Sequence, residues 1–272
     1  MATRNRGAGA DGLRGSDFVQ SLERGLAVIR AFDATRPELT LSDVARATDL
    51  TRAAARRFLL TLVELGYMRT DGRLFALRPR ILELGYAYLS SLSLPEVAQP
   101  HMEALVARVH ESCSVSVLDG TDVIYVARVP TKRIMTVSIS VGTRFPAYAT
   151  SMGRVLLAAQ PDDWLDAYLE SIELAQLTER TTTDPTSFRA LLTKVRGQGY
   201  SLVDQELEQG LRSIAVPLHD VDGGVTAAMN ISLHVTRGTS DFMRKELLPA
   251  LLATAGAIET DLGGGSGVGL AR

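Results

Sequence analysis

The chain has 272 residues, 46% of them hydrophobic and 22% charged, a make-up that suits a globular protein with one large or two ordinary domains. The net charge is only −2, but it is divided unevenly: residues 1–80 hold 14 Lys+Arg against 9 Asp+Glu, a net of +5, which leaves −7 for the remainder. No run of about 18 apolar residues occurs and the start is polar and glycine-rich, so the sequence argues against a membrane span or a signal peptide, and residues 1–17 read as a disordered tail.

Residues 18–78 carry three short amphipathic helices followed by a hairpin, the element order of a winged helix-turn-helix. The second helix opens at Thr40-Leu41-Ser42-Asp43, where Thr40 caps and Asp43 completes a capping box; Leu41, Val44, Ala45 and Thr48 form its buried stripe. In the turn that follows, Asp49 stands where a glycine often sits, because Asp is one of the few residues that tolerates the left-handed region. Thr51 is a good N-cap for the third helix, and Ala55, Phe58, Leu59, Leu62 and Leu65 recur at the spacing of one apolar face. The opposite face presents Arg52, Arg56 and Arg57 in the first two turns, where a recognition helix meets base edges and phosphates. Ala53 and Ala54 are small enough to let the helix axis approach a groove floor, and an alanine methyl packs well on a thymine methyl.

Gly66 ends that helix, and Tyr67 to Thr70 and Arg73 to Leu77 read as strands around an Asp71-Gly72 signal for a type I′ turn. Arg73 at the tip then lies within reach of a phosphate or the minor groove. A solvated basic face and a commonplace hairpin explain each feature singly. Taken in order, on a positive and all-arginine segment, they point to double-stranded DNA as partner, with an attraction that weakens steeply in salt.

Pro79 to Leu89 reads as a proline-initiated helix, apolar around most of its circumference, within a linker at 79–93. Such a helix needs burial on two sides, either against its counterpart in a dimer or within its own chain. Residues 94–262 read as a second domain: a helix from about Pro95 to His110, then strands near Ser114–Leu118, Val123–Val129 and Thr136–Ser140, with Asp119-Gly120 as a hairpin turn. Helices follow near Thr150–Ala159, Asp162–Ser171 and Ser187–Gln198, then strands at Tyr200–Asp204, Ser213–Leu218 and Val225–Leu233, and a helix from about Ser240 to Leu262. Strands grouped around a helical middle suggest an α+β domain with an antiparallel sheet flanked by helices.

The chemistry expected of this second domain is small-molecule binding. Ser213 precedes Ile214-Ala215-Val216, and Asn230 and Ser232 share one face of a very apolar strand, where their polar groups need either a ligand or the backbone as partner. Arg144 and Tyr148 stand in a loop that enters the helix starting near Thr150, and both suit recognition of an acid or a phenol. Cys113 is the only cysteine, which excludes an intrachain disulfide, fits a cytoplasmic protein and reads as a small buried hydrophobe. The four histidines fall at no ligand spacing, so no metal is expected. No phosphate-binding loop, nucleophile elbow or dinucleotide fingerprint occurs, which argues against an enzyme and against a cofactor. The glycines of residues 263–272 follow the last helix with no strand before them and read as a flexible tail.

From Phe18 to about Leu262 the sequence resembles the IclR family of bacterial transcription regulators. The segments that carry the resemblance are Ser21-Leu22-Glu23-Arg24-Gly25-Leu26, Leu41-Ser42-Asp43-Val44-Ala45, Leu65-Gly66-Tyr67, the stretch from Ala149 to Leu156, and Gly210-Leu211-Arg212-Ser213-Ile214-Ala215-Val216-Pro217. The resemblance implies a winged helix, a linker helix and a GAF-like effector domain, assembled as a homodimer or a dimer of dimers. It maps an effector pocket onto Ser151, Met152, the neighbourhood of Asp204, Ser213, Asn230 and Ser232. Asn230 replaces the serine of the acetate-metabolism regulator. The Thr51–Leu65 helix and the Arg144–Leu157 stretch look most like the subgroup controlling aromatic-acid breakdown through the β-ketoadipate pathway. Protocatechuate, 4-hydroxybenzoate, β-ketoadipate or a similar small carboxylate is the implied effector. A regulator of another carboxylate or sugar-acid operon, or a DNA binder without a ligand, is the alternative.

Overall fold

The structure is a computed structural model that describes residues 18–33, 35–84, 93–131 and 139–265. The chain forms two compact units, Met1–Tyr88 and Leu89–Arg272.

In the first unit, α1 (Gln20–Arg30), β1 (Glu38–Thr40), α2 (Leu41–Ala47), α3 (Arg52–Glu64), β2 (Met68–Thr70) and β3 (Leu74–Leu77) build a winged helix-turn-helix. Its core gathers Val28, Val44, Ala55, Leu59, Met68 and Phe75. The wing is a three-stranded antiparallel sheet in the order β1-β3-β2, with Phe75 opposite both Leu39 and Thr70. Local chemistry sets the joints. Thr40 and Asp43 form a reciprocal capping box at α2, Asp49 takes φ of 53° in the turn, and Thr51 accepts the Ala54 N–H at the start of α3.

Two expectations for this unit need correcting. The hairpin turns on Gly72-Arg73, since the ladder runs to Thr70–Phe75 and Asp71 N–H reaches Leu74 C=O. Only Gly72 has positive φ, 94°, which is the sign pattern of a type II′ turn; Asp71 precedes it and accepts the Arg73 and Leu74 N–H groups. Leu65 is the C-cap residue of α3 and is 52% exposed, because ten residues at roughly 100° each turn it about 80° away from Ala55, off the buried stripe.

The linker helix begins as expected, with Pro79–Ile81 as a 3₁₀ turn, and continues helically to residue 84. Residues 85–92, which hold most of that expected helix, lie outside the described residues, as do the tails at 1–17 and 266–272.

In the second unit, six antiparallel strands, β4 (Ser112–Asp119), β5 (Asp122–Val129), β6 (Arg144–Pro146), β7 (Ser201–Asp204), β8 (Leu211–His219) and β9 (Val225–His234), form one sheet in the order β6-β5-β4-β9-β8-β7. The helices are α4 (Ser93–Val109), α5 (Ser151–Ala158), α6 (Asp162–Ser171), α7 (Pro185–Gln198) and α8 (Leu248–Gly265), the last preceded by a π-helical turn, Met243–Leu247. Cys113, Val115, Ile214, Met229 and Ile231 on one sheet face pack with Met102 of α4 and Leu251 of α8. The other face packs Tyr125, Ala215 and Ala228 against Met152 and Leu156 of α5 and Phe188 of α7. The strand expected over Thr136–Ser140 falls largely outside the described residues; Ile139 and Ser140 are not in a strand, and the β5 edge is paired by β6 instead. The Asp119-Gly120 hairpin repeats the shift seen in the wing, with Asp119 paired to Asp122 and Gly120 at φ of 61°.

Small side chains on that second face let α5 lie close to it. Ser112, Ser114 and Ser116 alternate along β4, and Ser116 Oγ donates to Met152 Sδ at 3.3 Å. At the helix start, Thr150 caps Gly153 N–H at 3.0 Å, and a Cβ on Gly153 would overlap the carbonyl oxygen of Ala147. The glycine is what allows the preceding turn, Ala147–Ala149, to fold back onto the helix.

Candidate functional site

The first candidate surface is the exposed side of α3. With Ala55 and Leu59 buried, the helical period leaves Arg52, Ala53, Arg56 and Arg57 outward, and all four are exposed; Ala54 is half-buried and Thr51 is exposed at the cap. Among the described residues, none of Arg52, Arg56, Arg57 and Arg73 forms an ion pair, whereas Arg36, Arg46, Arg69 and Arg80 each have a carboxylate partner. Four unpaired cations therefore lie on one helix and the wing tip; Arg24 and Arg30 of α1 and Arg78 after β3 likewise have no ion-pair partner among the described residues. A groove beside them is lined by Gln20, Ser21 and Arg24 of α1 together with Ala54 and Arg57. The α1 residues were not among those expected at a site. Their signal was the arginine in the Ser21–Leu26 segment, which carries no helix-turn-helix spacing of its own.

The second candidate is a cavity between the sheet and the start of α5, lined by Tyr125, Ile139, Ala149, Thr150, Ser151, Val203, Leu207, Leu211, Ser213, Asn230 and Ser232. Its free volume is only about 10 Å³, room for roughly one water, so its walls must part to admit a six-membered ring. Among the described residues, two polar atoms in its wall have no partner: Ser151 Oγ and Asn230 Oδ1, on residues 1% and 3% exposed. The other end of the Asn230 amide donates to Ser232 Oγ at 3.0 Å. Unanswered buried polar groups of this kind cost on the order of 1–3 kcal/mol each, and a ligand that answers them recovers that cost.

Four of the eight residues expected to hold an effector, Ser151, Ser213, Asn230 and Ser232, line this cavity. The other four are elsewhere. Arg144 begins the edge strand β6, and its guanidinium is held by Asp119 at 2.5 Å and Asp122 at 3.2 Å. The Tyr148 hydroxyl donates to Ala175 C=O at 3.0 Å; Met152 is buried in the core beneath α5; Asp204 is bound by Arg212 at 2.8 Å and Arg180 at 3.0 Å. Loop position predicted the first two, but neighbouring acceptors take up their polar groups.

Two arginines of this unit escaped the sequence reading. Arg154 is 1% exposed and meets Glu206 through two hydrogen bonds of 2.6 Å, while its Nε donates to Tyr148 C=O. Glu206 also accepts the Thr182 N–H and hydroxyl. Burial raises the Glu206 carboxyl, but the Arg154 hydrogen bonds and charge outweigh it and hold the group below the usual carboxylate range. This pair ties α5, which brings Ser151, to the loop that brings Leu207 and leads into Leu211 at the start of β8. Arg128 on β5 is half-buried and donates to Ser114 Oγ at 3.3 Å. Among the described residues, no group of three or more His, Cys, Asp and Glu side chains is placed to hold a metal, and no helix is long and apolar enough to cross a membrane.

Comparison with known proteins gives these two sites their setting. The model for the IclR helix-turn-helix domain matches residues 21–72, and that for the C-terminal part of bacterial IclR regulators matches 86–260. The chain belongs to the IclR family. The Pca regulon regulatory protein of Pseudomonas putida is 49% identical over 240 residues, 88% of this chain and 82% of that protein. A transcriptional regulator from Rhodococcus sp. RHA1 of known structure is 61% identical, with a TM-score of 0.82, and the match covers 90% of this chain and 98% of that one. An IclR homologue from Microbacterium hydrocarbonoxydans, solved with 4-hydroxybenzoate, is 28% identical with a TM-score of 0.78 over 89% of this chain and 98% of that one. As an IclR protein this chain is a DNA-binding transcription regulator and not an enzyme, and its second unit is an effector-binding domain.

Proposed function

We propose that the chain regulates catabolism of aromatic acids through the β-ketoadipate pathway, with a small aromatic carboxylate such as 4-hydroxybenzoate or protocatechuate bound in the cavity at the start of α5. The observation that carries this reading is the pair of orphaned atoms, Ser151 Oγ and Asn230 Oδ1, in the wall of the cavity. The 4-hydroxybenzoate bound to the Microbacterium homologue supports the choice of ligand. Thr51, Arg52, Ala53, Ala54, Arg56, Arg57 and Arg73 make the contact with operator DNA, the α3 residues in the major groove and Arg73 on the backbone or minor groove.

The protein works in the cytoplasm as a homodimer or a dimer of dimers. Leu82 and Leu84, 71% and 51% exposed in the single chain, support pairing through the linker, as do Val19, Leu22 and Leu26 along one side of α1. Effector binding changes the operator equilibrium only to the extent that it favours one arrangement of the DNA-binding units.

Fluorescence anisotropy with the DNA upstream of its own coding sequence, against scrambled DNA at physiological salt, tests the reading. Selective binding that shifts with 4-hydroxybenzoate, protocatechuate or β-ketoadipate is expected. Selective binding indifferent to all three removes the aromatic-acid assignment.

A further inference from the structure

The sheet face that walls the cavity carries one cation whose charge nothing in the described chain answers. Across the strands, Arg128 of β5 stands opposite Ser114 of β4, and Ser114 stands opposite Asn230 of β9, so the three form one row ending at the cavity wall. A β-bulge sets this row. The ladder slips between Val115 and Ser116, which leaves Val126 as the extra residue of β5 and pairs Tyr125 with Ser116 and Arg128 with Ser114. Tyr125, itself a cavity wall, and Arg128 therefore share a face although they are three residues apart.

The other arginines this unit buries to a comparable or greater depth are neutralised: Arg154 by Glu206 and Arg212 by Asp204. Arg128 has only a serine hydroxyl, and among the described residues it makes no ion pair. Partial desolvation of a cation without a counter-ion is costly, and an anionic group on a ligand would offset that cost. Burial already draws its guanidinium below the usual arginine range.

We infer that Arg128 binds the carboxylate of the effector and so restricts this cavity to anionic ligands, leaving Ser151 and the free end of the Asn230 amide for a ring substituent that hydrogen-bonds. The inference rests on the effector reading of the cavity. It assigns the acid-recognising role to Arg128 and not to Arg144, whose fork is filled by Asp119 and Asp122. A guanidinium suits the task because it meets a carboxylate with two parallel hydrogen bonds.

Calorimetry on the full chain with 4-hydroxybenzoate and its uncharged counterpart 4-hydroxybenzamide separates the possibilities. Wild type is expected to prefer the acid, and Arg128→Gln to weaken the acid roughly 10- to 100-fold, the span of a charged hydrogen bond, while changing the amide by no more than about twofold. Operator binding by the variant checks that it is folded. Undiminished affinity of folded Arg128→Gln for the acid overturns the inference and leaves the effector reading standing. Absence of wild-type binding to both compounds overturns the effector reading and the inference with it. If the variant fails to fold, the wild type alone decides, since a preference for the amide over the acid overturns the assignment.

Discussion

Glu206→Gln changes the charge of one buried group and almost nothing of its shape. In the native pair, one carboxylate oxygen accepts Arg154 Nη1 and the other accepts Arg154 Nη2 together with the Thr182 N–H and hydroxyl. A glutamine turns one of these acceptors into an N–H donor facing a guanidinium donor, and leaves a cation that is 1% exposed without a counter-charge. Breaking such a pair from one side costs about 3–5 kcal/mol. For a domain of about 150–250 residues each kcal/mol moves Tm by about 2–4 °C, so the melt of the effector domain drops by about 6–20 °C. The loop keeps its backbone anchors, Thr181 Oγ1 to Glu206 C=O at 2.7 Å and Thr178 Oγ1 to Gln205 C=O at 2.7 Å, so the loss reports the charge and not a detached loop.

Circular dichroism melts and urea titrations of wild type, Glu206→Gln and the double variant Arg154→Met/Glu206→Gln give the measurement. The double variant removes the orphaned cation and recovers most of the loss. Acid supplies a second check. Because the folded carboxyl lies below its usual range, its contribution is complete above the unfolded value of about 4.3 and is lost as pH falls through the folded one. The gap between wild type and Glu206→Gln must close on acidification in that window. A loss below about 1 kcal/mol at neutral pH, the level of an exposed pair, would refute the claim that this interaction organises the cavity wall.

Arg52→Ala and Arg57→Ala are each expected to weaken operator binding by about 1–3 kcal/mol where a base contact is lost, and Arg73→Ala to lower the salt slope by about one counterion; anisotropy across a salt series reads both, and wild-type affinity in both helix variants contradicts the DNA face. Gly153→Ala forces a methyl into the Ala147 carbonyl and should destabilise by about 1–3 kcal/mol, so an unmoved urea midpoint counts against the close turn at α5. Burial pushes the Cys113 thiol up to about 12, so a thiol reagent should leave the folded protein unmodified and react promptly once it is denatured; fast native labelling contradicts that burial.

Most of the architecture is legible in the residues because its signals are local. Caps at Thr40 and Thr51, Asp49 at positive φ, the arginines opposite an apolar stripe and the Asp-Gly pairs each act within a few positions. What escapes is decided by distant partners. A three-residue strand such as Glu38–Thr40 has no period to read and exists because β3 has a free edge. The turn type at both hairpins depends on where the ladder stops, one residue later than the Asp-Gly pair suggests.

The cavity shows the same division at finer grain. Ser213, Asn230 and Ser232 are visible as polar breaks in apolar strands, because strict alternation tells which residues share a face. Arg128 is invisible to that rule. Read by alternation from Tyr125, it belongs on the opposite side of β5, and only the extra residue at Val126 turns it toward Ser114 and Asn230. Arg154 hides for a different reason: on a helix whose eight residues are all buried, a charged residue looks like solvent exposure until Glu206, 52 positions later, is brought to meet it. Both arginines follow from one physical constraint, that a cation inside a protein must be answered. Where the chain supplies the answer, as at Glu206, the result is a structural clamp. On the cavity face the described residues supply Arg128 with no counter-ion, and the proposed effector carboxylate is the group that would answer it.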